Sequence, residues 1–143
     1  GYNFRLTNIQ AAIGVGQLEQ LPDYIERKQK NFSNYVEITK SIDGLSIVKT
    51  PSYAKNNHWL TILKIDEKKY GENRKTLMYR LENSGIQSRP VWGLNHLQKP
   101  YRDYQSYSVE KATELINNSL CLPSSVNLDE SQMNRISNVL SKK

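Results

Sequence analysis

The sequence predicts an α/β fold, a short mixed sheet packed with helices, from three observations. Capped amphipathic segments stand at both ends of the chain, aromatic and β-branched runs stand in its middle, and strand, helix and strand follow one another between residues 58 and 91. At 143 residues and 37% hydrophobic, the chain is long enough to bury one modest core.

The elements follow in order. Thr7 and Gln10 have capping-box spacing, so a helix begins there, its apolar stripe carried by Ile9, Ala12 and Ile13 and then by residues 17–21. Ala11, Ala12, Gly14 and Gly16 are small, and each glycine costs about 1 kcal/mol against alanine in a helix. Such a segment suits close packing against another backbone, an interface or interdomain role; an ordinary core helix of weak propensity is the alternative. Pro22 predicts the first turn of a second helix running to about Ser41, with Asp23 and Glu26 near its positive end. Asp43-Gly44 marks a turn into a short strand, residues 45–48. Residues 58–65, His58 to Ile65, carry the strongest strand pattern. A polar stretch, residues 66–72, leads to a helix from about Asn73 with Leu77, Met78 and Leu81 on one face and Gly85 as its stop. Residues 86–91 read as extended.

Residues 92–107 form a loop crowded with Trp92, His96, Tyr101, Tyr104 and Tyr107, which implies packing onto a partner or the lining of a site. Ser108 is placed to cap a helix whose inner face holds Val109, Ala112, Leu115 and Ile116. Residues 120–122 predict a short buried strand, and Asp129 with Gln132 caps a last helix with Met133, Ile136, Val139 and Leu140 inside.

Function classes narrow by exclusion. The formal net charge of +6 favours anionic partners, but the basic residues are scattered among acidic ones, as on a solvated surface. No RNP-type aromatics, zinc spacing or helix-turn-helix accompanies them, so a nucleic-acid partner is not expected. No run of about 18 apolar residues exists, so no membrane partner is expected either. His58 and His96 lack metal-ligand spacing, and no metal site is expected. The single cysteine, Cys121, lies in an apolar run and reads as a small buried hydrophobe rather than a reactive thiol, in keeping with a cytoplasmic setting. Walker, dinucleotide and nucleophile-elbow motifs are missing. The first residues read as an internal starting point and the last as a natural C-terminus.

Three ordered motifs carry a resemblance. GYNFRLTNIQAAIG (residues 1–14), SGIQSRPVW with LNHLQKPY (residues 84–101) and LCLPS (residues 120–124) resemble segments of the DegT/StrS-type sugar aminotransferases. NHWL (residues 57–60) is similar to the branch that aminates UDP-linked 4-keto-6-deoxy sugars of the bacillosamine and legionaminic type. The resemblance implies the C-terminal small domain of a fold-type I transferase dependent on pyridoxal 5'-phosphate (PLP). It divides the chain into interface or linker helices (1–40) and a small α/β domain (41–143), the large domain with the cofactor lysine lying outside it. This chain would then hold no catalytic residue and be inactive alone. The parent enzyme would be a homodimer with shared active sites. It would move an amino group from an amino acid, glutamate, to a nucleotide sugar for surface polysaccharide or glycan biosynthesis.

Residue by residue, the resemblance implies that Asn3 reaches across the dimer to the cofactor phosphate, unless it only stabilises the turn before the first helix. Arg5 would bind substrate near the same interface, a surface or interchain salt bridge being the alternative. Arg89, stiffened by Pro90, would hold either the donor carboxylate or the sugar diphosphate. Trp92 and His96 would line the sugar-nucleotide side by stacking and hydrogen bonding, or else pack the loop onto the large domain. Tyr101 reads as structural. The remaining open classes are a stand-alone basic binding module and a dimerisation module without catalysis.

Overall fold

The computed structural model describes residue 2 and residues 5–141. It opens on one helix, α1 (Asn8–Lys40), whose Thr7 hydroxyl accepts from the Gln10 amide while the Gln10 side chain accepts from the Thr7 amide. At about 1.5 Å per residue this helix is about 50 Å long. The break expected at Pro22 does not occur, and the two helices read from the sequence are one. Proline there removes one amide bond, but Leu18 and Pro22 are both exposed, so water can satisfy the carbonyl left without its donor.

Four strands follow, β1 (Leu45–Ile47), β2 (Thr61–Ile65), β3 (Arg89–Pro90) and β4 (Ser119–Leu122), ordered β1-β2-β4-β3. Between them lie α2 (Glu67–Tyr70), α3 (Arg74–Asn83) and α4 (Glu110–Asn117), and α5 (Glu130–Ser141) closes the described chain. Every strand pairing is antiparallel, with Leu45 opposite Ile65, Thr61 opposite Leu122 and Arg89 opposite Cys121. The sheet is therefore not mixed. The strand-helix-strand unit does set β2 and β3 in the same direction, but β4 inserts between them and runs against both.

Both inner strands carry the core: β4 is buried along its whole length, and β2 alternates, with Thr61, Leu63 and Ile65 inward. Tyr35, Leu63, Leu77, Leu81, Leu120 and Leu140 are the centre of the core. The last turns of α1 join it through Asn31, Tyr35 and Thr39, four residues apart on one face. Arg80 ties α3 to α5: its guanidinium donates to Glu72, to the Tyr70 hydroxyl and to the Val139 carbonyl, and Tyr70 donates to the Leu140 carbonyl at 2.7 Å.

Three further differences from the sequence reading have local causes. Residues 58–60 are not strand, because His58 has φ 50, outside the extended region. The polar stretch after β2 contains α2, its first turn capped by the Asp66 carboxylate, which accepts from the Lys68 and Lys69 amides. Ser108 has φ 53 and cannot take the extended conformation of a capping residue; Val109 stands at the cap of α4 without a side-chain bond. Cys121 is buried and unpaired, and burial pushes its thiol above the usual range, as suits a small core residue.

Candidate functional site

The site begins with one face of α1. Lys28, Asn31 and Tyr35, spaced to lie on one side of the helix, reach the three consecutive carbonyls that follow β4. Tyr35 donates to Pro123 at 2.8 Å, Asn31 to Ser125 at 2.8 Å, and Lys28 to Ser124. These donors fix the segment that runs out of LCLPS. The register of β2 against β4, extended by two residues, then sets Ser124 opposite Trp59. The Ser124 hydroxyl and the Lys28 ammonium both donate to the Trp59 carbonyl, at 2.8 and 3.1 Å.

From the other side, two asparagines hold the same backbone. Asn56 Oδ1 accepts from the His58 amide at 2.8 Å, and Asn57 Oδ1 accepts from the Trp59 amide at 3.0 Å. The His58 ring stacks on Phe32 at 4.1 Å, and its buried Nδ1 has no hydrogen-bond partner. Burial lowers the His58 pKa. His58 therefore anchors the loop by packing, as a neutral ring.

Trp59 projects its indole outward, 63% exposed, with its ring centre 5.6 Å from that of Trp92, which is 61% exposed. The two planes are tilted by 37°. Arg89 is exposed on β3 at the sheet edge, opposite Cys121. His96 is half-buried in a helical turn, Asn95–Leu97, and Tyr101 is exposed in the next, Lys99–Tyr101. Arg5 is exposed just before α1, which carries it about 30 Å from Lys28 along the helix. Asn3 lies outside the described residues. Of the five residues singled out from the sequence, Trp92 thus joins the cluster built on Trp59, while Arg5 stands at the far end of the chain's longest element.

Trp59, Lys28 and Ser124 were not singled out from the sequence. The signal was there in part: Lys28 and Asn31 interrupt the apolar face of α1 at helical spacing, and Asn56-Asn57 is a turn-forming pair just before the tryptophan. The tertiary pairing of Trp59 with Trp92 leaves no such trace.

The described residues do not by themselves assemble a place for PLP. Desolvation pulls the Lys28 pKa below its usual range, but its ammonium is engaged by the Ser124 and Trp59 carbonyls and is not an available nucleophile. Among the described residues, no group of three or more His, Cys, Asp or Glu could hold a metal ion, and no helix is long and apolar enough to cross a membrane. The first turns of α1 expose Ile9, Ile13, Val15 and Leu18, and nothing lies within 4 Å of where a Cβ would stand at Gly14 or Gly16.

The described residues thus define a small α/β domain with one long helix and a pair of neighbouring exposed indoles. The model of the DegT/DnrJ/EryC1/StrS aminotransferase family matches residues 1–141, and the chain belongs to that family. It is 33% identical over 146 residues to EpsN of Bacillus subtilis, described as a pyridoxal phosphate-dependent aminotransferase, covering 98% of this chain and 36% of EpsN. It is 28% identical to the GDP-perosamine synthase of Caulobacter vibrioides, covering 95% of this chain and 37% of that enzyme. The fold superposes with a TM-score of 0.88 on DesI, solved with its TDP-sugar product, at 25% identity, covering 99% of this chain and 36% of DesI. The chain thus spans a little over a third of the length of the relatives it matches.

Proposed function

We propose that the chain is the C-terminal part of a PLP-dependent aminotransferase. The enzyme moves an amino group from an amino acid, glutamate, to a 4-keto-6-deoxy nucleotide sugar used in surface polysaccharide or glycan biosynthesis in the cytoplasm. The observation that carries this reading is the family match along residues 1–141. When bound, the cofactor supplies the electron sink that lets an amino group leave one carbon and join another. The chain's own residues bind and orient. Arg89 offers a planar fork to a carboxylate or diphosphate, Trp92 a stacking face and His96 a hydrogen bond toward the sugar nucleotide.

Asn3 and Arg5 serve a different active site in this reading. Within one chain, about 30 Å of helix separates Arg5 from the aromatic rim, too far for one small ligand to touch both. A homodimer with shared sites removes the difficulty, because the arm of one protomer reaches the cofactor site of its partner. The exposed Ile9, Ile13 and Leu18 support such an interface, since an unpartnered apolar helix face is costly in water.

The test uses the protein together with the chain preceding Gly1, supplied with glutamate and with UDP-, dTDP- and GDP-linked 4-keto-6-deoxy sugars in turn. Equimolar 2-oxoglutarate and amino sugar nucleotide are expected with one of them. No 2-oxoglutarate from any of the three would refute the reading.

A further inference from the structure

Three features meet at His58, in the segment before β2. Its backbone has φ 50, a region that residues other than glycine enter only when their surroundings hold them there. Its ring stacks on Phe32 of α1, with centres 4.1 Å apart and planes tilted by 29°. Its Nδ1 is buried and, among the described residues, has no hydrogen-bond partner. That nitrogen is covered by this chain itself, so no group packed against the outside of the chain can reach it. Such burial persists when the chain is part of a longer protein.

The backbone around the ring is tied in the same turn. Asn56 Oδ1 accepts from the His58 amide at 2.8 Å and Asn57 Oδ1 from the Trp59 amide at 3.0 Å, while Asn56 Nδ2 donates to Thr50 Oγ1 at 3.3 Å. Residues 58–60 are thereby kept out of β2, although the run from His58 to Ile65 has the composition of a single strand. The charged groups around the ring are all cations. α1 brings the Lys28 ammonium, which donates to the carbonyl of the next residue, Trp59, at 3.1 Å. The loop before His58 brings Lys49 and Lys55, which line a cavity with Phe32, Asn56 and Asn57, and none of the described residues lining it is acidic. The end of β4 brings Ser124 and the loop after β3 brings Trp92, both uncharged. An imidazolium would gain some attraction from the face of Phe32, but less than it loses by burying an N–H with no acceptor. Desolvation accordingly lowers the His58 pKa.

We propose that His58 is a pH-sensitive latch on the segment before β2. The neutral ring holds residues 56–60 in their turn; proton uptake expels the ring from Phe32 and lets the segment relax toward extended backbone. The sign follows from which state binds the proton more tightly. In the released segment the imidazole is solvated and titrates near pH 6.5, above its value in the seated state. Above about pH 6.5 the latch therefore stays closed. As pH falls from there toward the seated value, the opening constant rises by up to about tenfold per pH unit, and below the seated value it rises no further.

Hydrogen exchange reads the latch in the whole enzyme, with the chain preceding Gly1. Exchange is followed by mass spectrometry between about pH 7.5 and 5.0, corrected for the intrinsic pH dependence of amides, in peptides covering residues 54–60 and 119–122. In the unsubstituted enzyme, protection of residues 54–60 should be constant above about pH 6.5 and fall below it, by no more than about tenfold per pH unit. About 1 M urea should leave that exchange unchanged while speeding exchange in β4, because a local opening exposes little new surface. His58→Phe keeps a ring against Phe32 and cannot titrate, so its profile should be flat. Phe32→Leu removes the stack and should lower protection already at pH 7.5, with little further loss at pH 5.0. Protection independent of pH in the unsubstituted enzyme would overturn the latch, as would an unchanged pH dependence in His58→Phe. Equal urea sensitivity in the two peptides would assign the loss to global unfolding and overturn it as well.

Discussion

Tyr35→Phe isolates one hydrogen bond. The phenol is fully buried, and burial pushes its pKa well above the usual tyrosine range, so the hydroxyl is a neutral donor under ordinary conditions. It donates to the Pro123 carbonyl at 2.8 Å. Phenylalanine keeps the ring and its packing, removes the donor and leaves a half-buried carbonyl without it. An unsatisfied group of this kind costs about 1–2 kcal/mol. With an unfolding entropy of about 2.1 cal/mol/K per residue, a chain of this length should lose about 3–7 °C in Tm. Calorimetric or circular-dichroism melting of the chain and its variant reads the shift, and urea denaturation should show a lower midpoint with an unchanged m-value. Asn31→Ala removes the neighbouring donor to Ser125 and should act in the same direction. Because both donors grip the same three residues, the double variant should lose less than the sum of the two singles. An unchanged Tm in Tyr35→Phe would refute the view that the face of α1 fixes the 123–125 segment, and strict additivity would refute the view that it does so as a unit.

Other perturbations follow from single observations. Burial lowers the His58 pKa in the folded chain below its unfolded value near 6.5, so between those two values the unfolded chain binds more protons. Stability from this group is therefore complete above about pH 6.5 and falls as pH drops toward the folded pKa; in His58→Phe the difference in urea midpoint between pH 7.5 and 5.5 should shrink. Gly44 has φ +80, and an added Cβ would stand 2.3 Å from the Tyr70 amide nitrogen, so Gly44→Ala should cost about 3 kcal/mol or more. Gly71 has φ +82 but open space around it, so Gly71→Ala should cost only about 1–2 kcal/mol, and equal losses in thermal melts would refute the steric argument. Arg89→Lys in the whole enzyme keeps the charge and loses the fork, so it should raise the Michaelis constant of one substrate, glutamate or nucleotide sugar, and thereby show which anion the guanidinium holds.

The sequence alone determined what depends on near neighbours along the chain. The capping pairs Thr7–Gln10 and Asp129–Gln132, the helix start near Asn73 and the stop at Gly85 all depend on residues a few positions apart, and each forms as read. The apolar run of β4 declared itself through composition, and the ordered motifs declared the family. Local rules failed where distant groups set the energy. Pro22 reads as a helix start and His58 as strand, yet one sits inside a helix on a water-exposed turn and the other is turned to φ 50 by a stack on Phe32 and bonds to its neighbours. The aromatic rim belongs wholly to tertiary structure. Trp59 meets Trp92, and Lys28, Asn31 and Tyr35 meet residues 123–125, only because helix α1 and strands β2 and β4 share one packed core. Spacing along a chain encodes bonds within a turn or two; bonds across nearly a hundred residues exist only after the register of the sheet and the docking of the helix have been chosen.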